Sequence, residues 1–517
     1  MHTIVESPIL INRVFFSGTV RMLLAVTWML FLAGQSVQAG PKLPSPNDLL
    51  KRYTKASGGD KLLKPLRQTS YQGTALTADG QKGTFSLDLE APNRRRFELN
   101  FDADNRLELA TGTSVWMRST RGGDTTLIDE AARQLKAEVT VLANRRFDYK
   151  AQAFSARAIA PFQTEGQTWP GIEFISRQRA QVRAYFDGQT GLLRRLESGE
   201  GATRRQMDLS EYHLVDGIQE PSVIVLREGD VVTRLQIETV RHNTGLSASH
   251  FNIPKAADDL DLQTLFLQVD QNQTAIDDRV TNYTYLLTET RRDLEKNGQV
   301  KETTVKVYEV YPLPGRERVR KLVSVNNKPL SAKDAEEEQK RVAEFIRDNE
   351  KRQEKKRTGK SEANDDAKKR SLGISNFLKV CEFINPRRES LRGRTVVVCD
   401  FRPRKGYKPT NDTEKIVAKL AGTVWIDEAD KVVNRLEGRF DDDFKVAGGL
   451  LASLKKGAAF TFDQTRTEEG VWLPLREDFN AGIKLFLFAG LNVSVENRYS
   501  DYKRFSVTTK IDGEETP

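Results

Sequence analysis

Few residues in this chain have the types and spacings that perform chemistry. Two cysteines, Cys381 and Cys399, exclude a disulfide-dense scaffold and most cysteine-rich zinc modules. Of the four histidines, His213, His242 and His250 follow the N-terminal segment, and none stands at zinc-ligand spacing with another histidine or a cysteine. His213 and His242 flank strand ends and read as surface or hydrogen-bonded side chains. No Gly-x-Ser-x-Gly elbow occurs, and Gly112-Thr113-Ser114-Val115-Trp116 does not complete one. Gly199-Glu200-Gly201 begins like a dinucleotide loop, but it lacks the third glycine and lies in a hairpin. Asp441-Asp442-Asp443 has neither the alternating ligands nor the distal glutamate of a calcium loop, and reads as a turn. Scattered carboxylates such as Glu197 and Glu437 nominate no catalytic pair. The expectation is a non-enzymatic protein with no catalytic residue, no metal ligand and no cofactor.

The elements around these residues read as antiparallel sheet. Gly83 to Leu89, Arg96 to Phe101 and Val182 to Phe186 alternate apolar and polar residues, and turn signals such as Asp79-Gly80, Asp187-Gly188 and Asp216-Gly217 separate such segments. Helical spacing appears at Pro44 to Ala56, where Leu49, Leu50 and Tyr53 share a face, at Asp129 to Ala143, and at Leu260 to Val280. At 517 residues, with 38% hydrophobic positions, the chain is long enough for more than one core.

An internal repeat organises it. Phe186-Asp187 followed by Arg195-Leu196-Glu197 recurs as Ile426-Asp427 followed by Arg435-Leu436-Glu437, and Asp216-Gly217 to Pro221 recurs as Glu469-Gly470 to Pro474. The expected fold class is mainly antiparallel β with α (α+β), in two copies of one architecture, each an antiparallel sheet preceded by a helix. The expected domains are a leader over 1–39, a first sheet domain over 40–256 and a second over 257–517. A charged helical insertion occupies 331–370, with Ala335 to Lys356 as a solvated helix.

Arg13 and Arg21 precede an apolar run from Met22 to Ala33, and Val37 and Ala39 fit a secretory cleavage pattern. Cleavage after Ala39 and a periplasmic location are expected, and export allows a Cys381–Cys399 disulfide between consecutive strands. The net charge of +9 is small beside 81 basic and 72 acidic side chains, and nucleic acid is not an expected partner. Arg94-Arg95-Arg96 reads as charge guarding a sheet edge, with attraction to anionic head groups as the alternative. Membrane contact is expected to be peripheral at most.

A curved sheet covered by apolar segments forms either a packed core or a cavity. Val446, Leu450, Leu451 and Leu454 in the segment between the repeats' shared hairpins, with Leu485 and Leu487 in the late strand, are the candidate lid or cavity residues for a lipid.

Tyr185-Phe186-Asp187 with Gly191-Leu192-Leu193, Asp216-Gly217 with Pro221, and Thr233 to Val240 closing at Phe251 resemble the outer-membrane lipoprotein carrier family (LolA/LolB-like). The resemblance covers residues 40–256, most strongly 181–254, and more weakly 258–507. It implies an unclosed half-barrel with helices over a hydrophobic concavity that receives acyl chains, in a tandem of two such domains. The expected partner is an acyl chain, lipid or lipoprotein, with an envelope protein as a further one. The alternative is an envelope structural or sensory module with packed sheets that binds protein.

Overall fold

Ser45 caps the first helix, α1 (Pro46–Ala56), its hydroxyl accepting from the Asp48 N–H at 3.2 Å, and proline takes the first helical position. The apolar stripe Leu49, Leu50 and Tyr53 is buried, as the spacing predicts. A computed structural model describes residues 43–164, 166–254, 260–295, 297–315, 317–358, 374–446, 452–485 and 491–505. It leaves out the side chains of 202, 273–278, 280, 356, 374–376, 445, 446, 452, 453, 481–485 and 491. The expected leader and its cleavage site lie outside the described residues.

After a single turn, α2 (Asp60–Leu63), the first sheet begins with β1 (Gln68–Thr77), β2 (Lys82–Glu90), β3 (Arg94–Phe101), β4 (Asn105–Ala110), β5 (Val115–Ser119) and β6 (Gly123–Thr126). Helix α3 (Asp129–Ala143) interrupts it. The chain continues through β7 (Ser155–Thr164), β8 (Gln167–Ile175), β9 (Gln181–Phe186), β10 (Leu193–Ser198), β11 (Arg205–Val215), β12 (Ile218–Glu228) and β13 (Val231–His242). All neighbours are antiparallel; β1 pairs with β13, and β6 and β7 are the unpaired edges of an open sheet. The face toward α1 and α3 is apolar, around Phe174, Phe186, Leu196 and Leu226, with Phe147 stacked 5.7 Å from Phe174.

The second sheet repeats this order. Helix α4 (Leu262–Val280) precedes β14 (Tyr283–Leu294), β15 (Val300–Leu313), β16 (Glu317–Val325) and β17 (Lys328–Pro329). Helices α5 (Ala332–Arg357) and α6 (Ile374–Val380) follow, then β18 (Cys381–Leu391), β19 (Arg394–Pro403), α7 (Asp412–Val417), β20 (Leu420–Asp427) and β21 (Val432–Phe440). A short hairpin, β22 (Phe444–Val446) and β23 (Ala452–Leu454), comes before β24 (Ala459–Arg466), β25 (Trp472–Leu485) and β26 (Leu491–Arg504). β14 pairs with β26 as β1 does with β13, and β17 and β18 are the unpaired ends of the main path.

The repeated motif is a repeat of register. Leu196 faces Ala184 and Met207 across β9 and β11, and Leu436 faces Val424 and Phe462 across β20 and β24. Arg195 and Glu197 form a same-face ion pair at 3.5 Å, as Arg435 and Glu437 do at 2.7 Å. The charged insertion has a place in the same scheme: α5 and α6 connect β17 to β18 as α3 connects β6 to β7. α3 carries an apolar face and the short α6 buries Phe377 and Val380, whereas α5 packs along β16 with Val342, Phe345 and Ile346 half-buried.

Among the described residues no helix is long and apolar enough to cross a membrane. Arg94-Arg95-Arg96 does not guard an edge, because β3 lies inside the sheet between β2 and β4. The Cys381–Cys399 disulfide is not formed either. Both thiols are free and buried, and the β18–β19 register sets Cys381 opposite Pro403, four residues along the strand from Cys399. At ~3.3 Å per strand residue that separation exceeds the reach of a disulfide. Burial pushes each thiol pKa up to about 12.

Candidate functional site

Because the two sheets share a register, their concave faces compare rung by rung. In the first half one rung reads Ser198, Arg205, Glu228, and the rung beside it reads Leu196, Met207, Leu226. In the second half the same rungs read Gly438, Phe460, Phe479 and Leu436, Phe462, Glu477. Identical strand geometry therefore carries ions at one end of the first concavity and aromatic rings at the corresponding place in the second.

In the first half these rungs are sealed. Leu196, Met207 and Leu226 are buried beneath α1 and α3. At the neighbouring rung Glu138 of α3 meets Arg95 at 2.8 Å and accepts from the Ser198 hydroxyl at 2.6 Å. Arg205 binds Glu108 at 2.8 Å and Glu228 at 3.0 Å, Arg106 binds Glu228 at 2.6 Å, and Arg95 also contacts Glu108. Burial alone would raise the Glu228 carboxyl; Arg205 and Arg106 more than offset it and hold it at about 2. Burial, reinforced by Arg205, lowers Arg95 to about 10. Three arginines and three glutamates close this end, and the remaining cavity around Tyr53, Tyr71, Met207 and Leu209 holds only about 40 Å³. That is far below the 300–1,000 Å³ typical of small-molecule sites. Spacing alone does not find this cluster, because its members come from β3, β4, α3, β11 and β12.

In the second half the corresponding rings are half-buried. Leu436, Phe460, Phe462 and Phe479 are each partly solvent-accessible, and Phe383, Phe444 and Leu454 join them against the buried set Phe377, Phe401, Phe440 and Val417. Gly438 makes room for this arrangement: a Cβ there would lie 2.4 Å from the Phe460 ring. The covering elements are α4, which contributes Leu265, Phe266 and Val269, with the short α6 and α7. Where the 15-residue α3 lies across the first sheet's rungs, the described cover in the corresponding connection here is the short α6, with Phe377 and Val380, after the hydrophilic α5.

Of the candidate lid residues, Leu454 packs at the rim of this aromatic set. Val446 pairs with Ala452 across the β22–β23 hairpin, and Ala452 with Leu485 of β25, so the hairpin adds a short ladder to the sheet. Leu450, Leu451 and Leu487 lie outside the described residues. Glu197 and Glu437 are held by Arg195 and Arg435 and do not converge on a shared site. Among the described residues no cluster of three or more histidines, cysteines or carboxylates is arranged to hold a metal.

The opposite, convex face of the second sheet is covered by the first half. Ile128 packs against Leu391, Val396, Val398 and Trp425. Asp129, which starts α3, accepts from Arg435 at 3.0 Å and from Arg476 at 2.8 Å. Burial alone would raise the Asp129 carboxyl, and the two guanidiniums hold it below its ordinary value. Ser114 donates to Asp400 at 2.9 Å, and the Thr126 hydroxyl donates to Glu389 at 2.6 Å.

No family model matches the chain, and no curated protein matches it. Solved structures are similar to it. An outer membrane lipoprotein-sorting protein domain from Vibrio parahaemolyticus is 10% identical, spanning 40% of this chain and 95% of that one, with a TM-score of 0.28. A LolA superfamily protein from Nitrosomonas europaea is 11% identical, spanning 41% and 98%, with a TM-score of 0.29. The Pseudomonas aeruginosa MucA/MucB complex matches over 89% of this chain and 99% of that one, at 11% identity and a TM-score of 0.15. In fold the chain is similar to LolA-superfamily and lipoprotein-sorting domains, each of which spans about 40% of its length.

Proposed function

We propose that this is an exported, periplasmic, non-enzymatic protein that binds an acyl chain or other lipid in the concavity of its second half. In this reading residues 40–256 are a packed scaffold and residues 257–517 the receptor. The observation that carries it is the contrast between equivalent rungs: Ser198, Arg205, Glu228 under α3, against Gly438 with the half-buried rings of Phe460 and Phe479. Water-exposed aromatic surface inside a curved sheet is unfavourable unless something apolar covers it. An alkyl chain laid there gains about 0.8 kcal/mol per methylene buried. Leu454 flanks the rungs and would line the ligand's entrance.

The test is extraction and mass spectrometry of lipid from protein purified without detergent, with native mass spectra of the same sample. Co-purifying acyl lipid at near-stoichiometric amount is expected. Lipid-free protein that also takes up no added fatty acid would overturn the reading and leave the packed, protein-binding module in its place.

A further inference from the structure

Between α3, the β8–β9 turn and the second sheet lies a cavity of about 440 Å³, whose wall includes Glu437, Asp478 and Asn480 of the convex face and also reaches Gly438 and Phe460. Its wall carries both charges, but the acids are spent. Asp129 is shared by Arg435 and Arg476, Glu437 is held by Arg435, Asp441 by Arg439, and Asp478 by Arg476 and Asn480. The cations are not all spent. Among the described residues Arg133 and Arg177, which both line the cavity, have no carboxylate within salt-bridge distance, and the Arg177 Nε is buried without an acceptor.

Arg179, in the same turn, repeats the pattern. Its Nε is buried without an acceptor, and it lines an adjoining cavity of about 360 Å³ whose wall also includes Arg133. Arg133 therefore stands between the two spaces, and burial with repulsion from Arg292 and Arg133 outweighs the attraction of Asp478 and Glu496 and lowers the Arg179 pKa. The turn is built to hold these side chains. Arg179 has a left-handed backbone, φ 66°, fixed by the Ala180 N–H to the Ser176 hydroxyl at 3.0 Å and by the Arg179 N–H to the Ser176 carbonyl at 2.9 Å. Across the seam Gly457 lets the Arg177 stem approach: a Cβ there would lie 3.0 Å from the Arg177 Cδ.

Clustered, partly desolvated guanidiniums with only more distant counter-charge, such as Asp443 for Arg177, are costly, and an oxyanion relieves that cost by accepting their forked donors. Asn480, 8% exposed and also on the wall, has a buried Oδ1 without a donor, which suits a hydroxyl on the same ligand. We propose that this seam is a second binding site, for a hydroxylated phosphate ester held by Arg133 and Arg177. Its volume lies within the range of small-molecule sites. The ligand is either a soluble sugar phosphate or a lipid head group of the same chemistry, and the site is independent of acyl binding on the concave face.

The test is calorimetric titration of the full mature chain with glucose 6-phosphate, beside flotation with phosphatidylglycerol and with phosphatidylcholine vesicles. Saturable binding of the sugar phosphate, weakened at least tenfold in Arg133→Gln/Arg177→Gln, assigns the soluble source. Arginine-dependent flotation with phosphatidylglycerol alone assigns the head group. The double variant should melt at or above the parent temperature, since it removes unpaired charge, and should bind an acyl probe as the parent does. Absence of both binding signals, equal binding by the variant, or a variant that melts several degrees lower would each overturn the proposal.

Discussion

Arg195 and Arg435 occupy the same register position in the two sheets, yet the Arg435 side chain is 1% exposed and that of Arg195 14%. Each faces an aspartate on the next strand, Asp208 or Asp463, and a glutamate two residues on along its own strand. Each lies beside an aromatic ring, Phe162 at 4.2 Å for Arg195 and Trp425 at 5.6 Å for Arg435. The difference is Asp129, which brings α3 of the first half onto Arg435. One repeated surface motif has thus become the seam that joins the halves.

Arg435→Met should therefore destabilise the protein by about 3–5 kcal/mol, because it removes a partner from Asp129, Glu437 and buried Asp463 at once, leaving Asp463 only Arg392. Arg195→Met should cost about 1–2 kcal/mol, since water reaches its partners. Denaturant unfolding of both variants measures the difference, and equal losses would mean that the seam adds nothing to this position.

Glu138→Ala leaves Arg95 and Arg205 facing each other beneath α3. A loss of about 3–5 kcal/mol is expected, with Glu138→Gln intermediate because it retains an acceptor for Arg95. Thermal and denaturant melts of the two variants check the order.

His242 bridges Asp216 and Glu220, each at 3.0 Å, while Arg145 and the Tyr71 hydroxyl also bind Glu220. The hydrogen bond to Glu220 raises the histidine pKa. Burial alone would raise Glu220, but Arg145, His242 and Tyr71 hold it at about 2. A raised histidine contributes its full stability below the unfolded value of about 6.5 and loses it as pH rises through the folded value. The carboxylate contributes above about 4.3 and loses its contribution only as pH falls toward 2. The melting temperature should fall between neutral and mildly alkaline pH, and His242→Gln should remove most of that fall. An unchanged pH profile in the variant would contradict this assignment.

Both cysteines should remain unmodified by iodoacetamide at pH 8 in the folded protein and react fully in denaturant, because their raised pKa values and burial withhold the thiolate. Migration on non-reducing gels should match that of the reduced chain. Mass spectrometry of the alkylated protein reads both outcomes.

Much of the framework was legible in the residues. Alternation located β2, β3 and β9, helical spacing located α3 at Asp129–Ala143, and the Arg-Leu-Glu repeat marked equivalent strands with their register. Such features are local, so a single window of sequence carries them. The ion cluster of Arg95, Glu108, Glu138, Arg205 and Glu228 was hidden because β3 and β11 are not neighbours in the sheet and their arginines meet through Glu108 of β4 and Glu138 of α3. Arg94-Arg95-Arg96 misled because a basic run looks alike on an edge strand and on an inner strand, where Arg94 and Arg96 pair with nearby Glu90 and Glu98 and Arg95 with the more distant Glu108 and Glu138. The cysteines sit in consecutive strands, as expected, but their ladder positions follow from a register that shifts between Ile384 and Arg387. The exchange of Ser198, Arg205, Glu228 for Gly438, Phe460, Phe479 becomes visible only once both registers are known.

That exchange also provides the most direct test of the account. Phe460→Arg/Phe479→Glu writes the first half's ion pair into the second concavity, supplying each new charge with its partner. Titration of the parent and this variant with a fluorescent fatty acid, with folding checked by circular dichroism, is the decisive measurement. The account predicts saturable binding by the parent and a loss of at least tenfold in the folded variant. Equal binding by both, or none by the parent, would contradict it.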